Sequence, residues 1–312
     1  MTSSTCAGSP CRTRSEVGDA VTPPWFVRAI ETPYREQRIP VAGSEIRYLD
    51  WGERGRPGLV FVHGGAAHAH WWSFVAPMFT RGWHAVALDL SGHGESGRRK
   101  TYNHALWAEE VLAVADDAGF PGPPVVVGHS LGGGITLELA SAYGDRLAGA
   151  VVVDTPVRRP DPESREGARG RAFRSPGTYP DETTALRHFR LVPSQPCENE
   201  FIVDHVGRLS LHETESGWTW RFDPHLFHQT LIPLRDQLLA VRCRIAFFRG
   251  EYSTIVPEDT AAYMYELTGR NAPFVSIPDA HHHLILDQPL AFVAALRTLL
   301  ADWEHSTPRS PL

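Results

Sequence analysis

Cysteine is scarce in this chain of 312 residues: there are four, Cys6, Cys11, Cys197 and Cys243. So few and so scattered, they exclude a disulfide framework, and no two pairs carry metal-ligand spacing. They read as free thiols in a reducing cytosol, and a cytoplasmic location is the expectation. Long apolar runs are missing too. No stretch approaches the roughly 20 consecutive apolar residues of a membrane span. Positive charge is not in excess, with 30 Lys and Arg against 36 Asp and Glu, a net charge of −6. Without a broad basic field, neither nucleic acid nor an anionic membrane surface is expected as the main partner. Residues 1–24 lack the apolar middle of a secretion signal and read, with 306–312, as loose tails.

Hydrophobic residues make up 42% of the chain, enough for a sizeable core. After the first tail, strand and helix signals alternate, which predicts a mostly parallel sheet with helices on both faces. Arg35 to Val41 and Glu45 to Asp50 read as an antiparallel hairpin turning at Ala42-Gly43-Ser44. Leu59 to Val62, Ala85 to Leu88, Val125 to Val127 and Ala150 to Val153 are short apolar runs suited to strands buried on both faces. Asn103 to Ala118 carries helical spacing, and a second helix runs from the Ser130 region to about Tyr143. Between Val157 and Pro233 the alternation stops. A stretch this long is no simple loop, and it reads as a largely helical cap inserted at 157–233. The alternation resumes at Ile245 to Phe248, a helix from Pro257, a strand at Phe274 to Ile277 and a helix from Pro289. The core is thus expected at 25–156 and 234–305, with no internal repeat.

The chemistry is concentrated at Gly128-His129-Ser130-Leu131-Gly132. A Gly-x-Ser-x-Gly string alone is weak, but here it joins an apolar strand to an apolar helix. In that setting the serine sits on a strained turn that lifts its hydroxyl out of the sheet, and its neighbours two places away must be small. The helix that starts there aims its first amides at the same point. The N–H of Leu131 is one expected donor to an oxyanion.

This elbow, Val126 to Gly133, resembles that of the α/β-hydrolases. Three further pieces resemble that family in order: His63-Gly64-Gly65, Asp89-Leu90-Ser91-Gly92-His93-Gly94-Glu95-Ser96, and His281-His282-His283 followed by Asp287-Gln288-Pro289. The resemblance covers about Arg35 to Trp303. It implies an eight-stranded, mostly parallel sheet flanked by helices, with a cap after the sixth strand. It implies that Gly65 N–H is the second oxyanion donor. It also places the base seven residues before the proline of the last helix, which is His282 here. The triad order Ser, acid, His along the chain agrees with a base after the last strand. This chain departs from the family at His281, where glycine is usual.

A second departure concerns the acid. The loop after the seventh strand, Arg249 to Pro257, carries Ser253 and Thr254 where relatives place a carboxylate. Glu251 is out of alignment by two or three residues. Some members, notably haloalkane dehalogenases, carry the acid after the sixth strand instead, where this chain has Asp154. Asp154 is the preferred acid, with Glu251 or a bare Ser-His dyad as alternatives. Adjacent histidines on one loop rarely converge on one ion, so no metal is expected, nor any cofactor.

For the pocket, Trp72, His129, Trp218 and Trp220 are the candidates for substrate contact, with a small apolar molecule as the expected ligand. Asp89 and His93 are expected to fix their loop. Arg158, Arg159, Arg165, Arg169, Arg171 and Arg174 read as a solvated face. The expected activity is acyl hydrolysis of an ester, thioester or lactone, with C–C hydrolysis as a near variant. A serine at the elbow argues against the aspartate-nucleophile chemistry of epoxide hydrolases and dehalogenases. A ligand receptor or a non-hydrolytic lyase or cyclase is the alternative from another class, sustained by the missing acid.

Overall fold

The computed structural model describes residues 22–160, 177–228 and 233–306. A short helix, α1 (Pro24–Ile30), comes first, and Phe26 within it is buried. The tail expected at 1–24 thus runs into this helix at Pro24; residues 1–21 and 307–312 lie outside the described residues. Next come β1 (Arg35–Val41) and β2 (Ser44–Trp51), paired antiparallel. Ala42 and Gly43 turn the chain with φ of 44° and 80°. Positive φ at both central residues suits the right-handed twist of a two-residue hairpin.

Four strands follow with every residue buried: β3 (Gly58–Val62), β4 (His84–Leu88), β5 (Val125–His129) and β6 (Gly149–Val153). Between them lie α2 (His104–Ala118) and α3 (Leu131–Ala142). Asn103 caps α2 by accepting from Leu106 N–H at 2.8 Å, and Gly119, at φ 68°, ends it.

The stretch after β6 holds α4 (Glu182–Leu186), α5 (Glu200–Leu209) and a hairpin of β7 (Leu211–Thr214) with β8 (Gly217–Trp220). The two helices agree with the expected helical insertion, and the short hairpin is an addition to it. Its strands are four residues each, too short to show a period of two. The arginines of this stretch at 165, 169, 171 and 174 lie outside the described residues. The chain then runs through α6 (Arg235–Leu239), β9 (Ile245–Gly250), α7 (Glu258–Leu267), β10 (Phe274–Ile277), α8 (Leu284–Asp287) and α9 (Pro289–His305).

The main sheet has eight strands in the order β1-β2-β4-β3-β5-β6-β9-β10. β2 is antiparallel to β4, and from β4 onward every pair is parallel. Side chains alternate faces along each strand. Leu59, Phe61, Val125 and Val127 join the core beneath α1 and α9, while Val60, Val62 and Val126 join that beneath α2 and α3. The carboxyl ends of the parallel strands share one edge, where open α/β sheets place their ligands. Among the described residues no helix is long and apolar enough to cross a membrane.

Candidate active site

The loops after β3, β4, β5, β6, β9 and β10 meet at that edge. Ser130 follows β5 directly, with φ 54° and ψ −115°. A non-glycine residue there is strained, and the strain is held by packing. A Cβ on Gly128 would lie 2.1 Å from the Gly132 carbonyl oxygen, and one on Gly132 would lie 2.4 Å from that of Val62. Both positions must stay glycine for the elbow to close against β3. Asp154, after β6, is a second strained residue, with φ 48°.

His282, between β10 and α8, connects the two. Its Nε2 lies 3.0 Å from Ser130 Oγ, and its Nδ1 lies 2.7 Å from Asp154 Oδ2. A carboxylate only accepts, so Nδ1 carries the hydrogen and Nε2 is left to accept from the serine hydroxyl. His282 and Asp154 are both buried. The loop after β9 supplies Ser253, whose hydroxyl donates to Asp154 Oδ2 at 2.6 Å, and Gly250 N–H donates to Oδ1 at 3.1 Å. Glu251 points elsewhere: its carboxylate accepts from Asp279 N–H at 3.1 Å on the exposed side.

At the start of α3, Leu131 N–H precedes the first intrahelical bond. Neither it nor Gly65 N–H donates a hydrogen bond within the described residues. Gly65 lies beside Leu131, since a Cβ there would meet the Leu131 side chain at 4.0 Å. The loop that carries Gly65 is tied down from below. His63 Nδ1–H donates to Gly64 O at 2.7 Å, and its Nε2 accepts from Leu90 N–H at 3.1 Å. Asp89 accepts from Ala69 N–H, Glu95 N–H and Arg47. Burial opposes its charge, but Arg47 prevails and holds the carboxyl down at about 2.

The three consecutive histidines diverge. His281 is half-buried, with its N–H on Asp287 at 2.8 Å. His283 is buried, its ring 5.4 Å from Trp71 and 5.5 Å from His129. Burial, with His282 and His129 adding to it, keeps His283 well below the usual histidine range. His129 was expected at the substrate; instead its Nε2–H donates to the carbonyl of His282 at 2.9 Å. It is a prop beneath the histidine loop, and burial pushes its titration down to about 3. One ring nitrogen from each of His129, His282 and His283 lies within 4.8 Å of the others.

Trp72 is corrected as well. It is fully buried in the core, 4.9 Å from Phe61 and 6.1 Å from Phe292. The tight turn over Ala69–Trp72 sends Trp71, not Trp72, toward the histidines. Trp218 and Trp220 belong to the insertion. Trp220 packs on Tyr179 and Phe189, and the Trp218 main chain pairs with Tyr179. Two residues missed in the sequence brace the histidine loop: Gln195 bonds both oxygens of Asp287 and the N–H of His283, and Asn199 bonds the carbonyls of Leu286 and Asp287. An isolated Gln or Asn in an aperiodic stretch carries no signal of its own.

The model of the alpha/beta hydrolase family matches residues 59–296. This chain is an α/β-hydrolase. An esterase of Mycobacterium tuberculosis, Rv0045c, is 29% identical over 272 residues, 83% of this hydrolase and 88% of that protein. Its crystal structure matches at a TM-score of 0.66 and 26% identity, over 86% of this chain and 92% of that one. The crystal structure of E-2-(acetamidomethylene)succinate hydrolase has a TM-score of 0.73 at 20% identity, covering 86% and 100% of the two chains, which speaks to the fold. Human epoxide hydrolase 4 is 29% identical over 122 residues, 38% of this hydrolase and 33% of that protein.

Two predictions follow from the histidines. His281→Ala should leave kcat/KM within about threefold, because a half-exposed side chain outside the Ser130 contact carries about 0.5 kcal/mol or less. Steady-state kinetics check it, and a loss of a hundredfold would move the base to His281. The second concerns acid. Burial also pushes His68 down to about 3 where it bonds Ser210, just after α5. His68 and His129 are neutral when folded but titrate near 6.5 when unfolded, so the unfolded chain binds more protons below that pH. Their contribution is complete above pH 6.5 and is lost as pH falls toward 3, about 2 kcal/mol each by pH 5. The urea midpoint should therefore drop between pH 7 and pH 5; a flat profile contradicts the burial argument.

Proposed function

We propose that this hydrolase cleaves an ester bond of a small apolar substrate through an acyl-enzyme on Ser130. The observation that carries the reading is the unbroken chain from Ser130 Oγ through His282 to Asp154, at 3.0 and 2.7 Å. Ser130 Oγ attacks the ester carbonyl carbon while its proton passes to His282 Nε2. The oxyanion forms between Leu131 N–H and Gly65 N–H, donors that need no rearrangement to receive it. Collapse expels the alkoxide, which takes the proton from His282. Water, deprotonated by His282, then attacks the acyl-enzyme and releases the acid, and Ser130 recovers its proton. Throughout, Asp154 orients the imidazole and faces the positive charge it acquires.

The likeness to the esterase Rv0045c supports an ester over other bonds. A non-hydrolytic role is the alternative suggested by the missing carboxylate after β9; the contact of Asp154 with His282 supports the hydrolytic reading over it. The test is steady-state hydrolysis of p-nitrophenyl esters of graded acyl length. Turnover of at least one ester is expected. Labelling of Ser130 by a fluorophosphonate with no turnover of any ester would overturn the reading in favour of a ligand-binding role.

A further inference from the structure

Ser253 lies on the loop after β9, where the sequence offers no aligned carboxylate, and its hydroxyl is fully engaged. Ile255 N–H and Val256 N–H point at its Oγ from 3.2 and 3.1 Å. A hydroxyl oxygen has two lone pairs and one hydrogen. With both lone pairs engaged, the hydrogen is directed to Asp154 Oδ2, 2.6 Å away. That separation belongs to charge-assisted O–H···O⁻ bonds. The two amides on Oγ polarise the O–H further.

The same Oδ2 faces His282 Nδ1 at 2.7 Å, while Oδ1 is held by Gly250 N–H. All three neighbours of the carboxylate donate, so the cradle fits a carboxylate and resists its rotation about Cβ–Cγ. Asp154 and Ser253 are both buried, so water does not replace either contact. The other rings facing His282 are His129 from β5 and His283 beside it, and neither touches Oδ2.

We infer that Ser253 is a positioning residue for His282: through its hydroxyl it fixes Asp154 Oδ2 at the point where the imidazole meets it. The inference rests on Asp154 being the orienting acid of the proposed function. Because Ser253 and His282 share one acceptor atom, removing the first donor makes that oxygen a stronger acceptor for the second, while the carboxylate loses its pin.

Ser253→Ala, Ser253→Thr and Ser253→Cys test it with two readouts. In the unliganded protein, the His282 Nδ1–H proton resonance, assigned by its loss in His282→Ala, should move downfield in the alanine variant and return in the threonine variant. With a p-nitrophenyl ester, kcat should fall about tenfold in Ser253→Ala with KM within about twofold, as expected for a base held out of line, and threonine should restore it. Cysteine, a weak donor of similar size, should lie between, and it carries the test if the alanine variant does not fold. An unmoved resonance, or a kcat loss that threonine does not restore, overturns the inference. The resonance needs no substrate. If it moves as stated while the wild type cleaves no ester, Ser253 keeps its role and the hydrolase reading fails instead.

Discussion

Ser130→Ala should lower kcat by about 10⁴-fold or more and abolish covalent labelling, with the fold intact. In the proposed mechanism Ser130 and His282 act as a unit, so removing either costs nearly as much as removing both. The substitution deletes one oxygen from a residue whose main chain, not side chain, holds the elbow: Ser130 N–H donates to Val153 O, and its carbonyl accepts from Gly133 and Gly134. Circular dichroism and the thermal midpoint should therefore stay near wild type. His282→Ala should cost a similar factor. Retention of a tenth of the activity in Ser130→Ala would show that the acyl-enzyme is not on the path.

Asp154→Asn should cost about 10²–10⁴ in kcat, by the logic of a lost orienting acid. The carboxylate accepts from three donors on two oxygens: His282 Nδ1–H, Ser253 O–H and Gly250 N–H. An amide offers one oxygen, and its NH₂ must face at least one of those donors. Facing His282, the NH₂ forces the hydrogen from Nδ1 to Nε2, and Nε2 then cannot take the proton of Ser130. Glu251→Gln, on the exposed side at Asp279, should change kcat by no more than about threefold. The reverse order of the two losses would move the acid to Glu251.

Much of this was legible in the sequence, for physical reasons. Strands buried on both faces are short apolar runs, so β3 to β6 stand out. The elbow needs glycine two places either side of Ser130, a requirement that leaves a readable string. Asp154 is preferred over Glu251 for its place after the sixth strand, but the sequence leaves Glu251 and a bare dyad open, because how far each side chain reaches across the sheet edge is a matter of tertiary geometry. Trp71 and Trp72 are indistinguishable as letters; the tight turn that carries them sends one ring to the histidines and buries the other. Tertiary contact alone makes Ser253 and Gln195 important. The hairpin β7–β8 escaped because four residues are too few for alternation to register. His129 adjoins Ser130 in sequence, but its hydrogen-bond partner in space is the main chain of His282, which no sequence pattern shows.

Rapid-quench intact-mass analysis with p-nitrophenyl acetate, followed by peptide mapping, tests the central claim most directly. An adduct with the mass of one acetyl group should accumulate within the burst of p-nitrophenol, map to Ser130 and be absent from Ser130→Ala. An acetyl group on another residue, or p-nitrophenol release at the full rate with Ser130 never modified, would contradict an acyl-enzyme at the elbow.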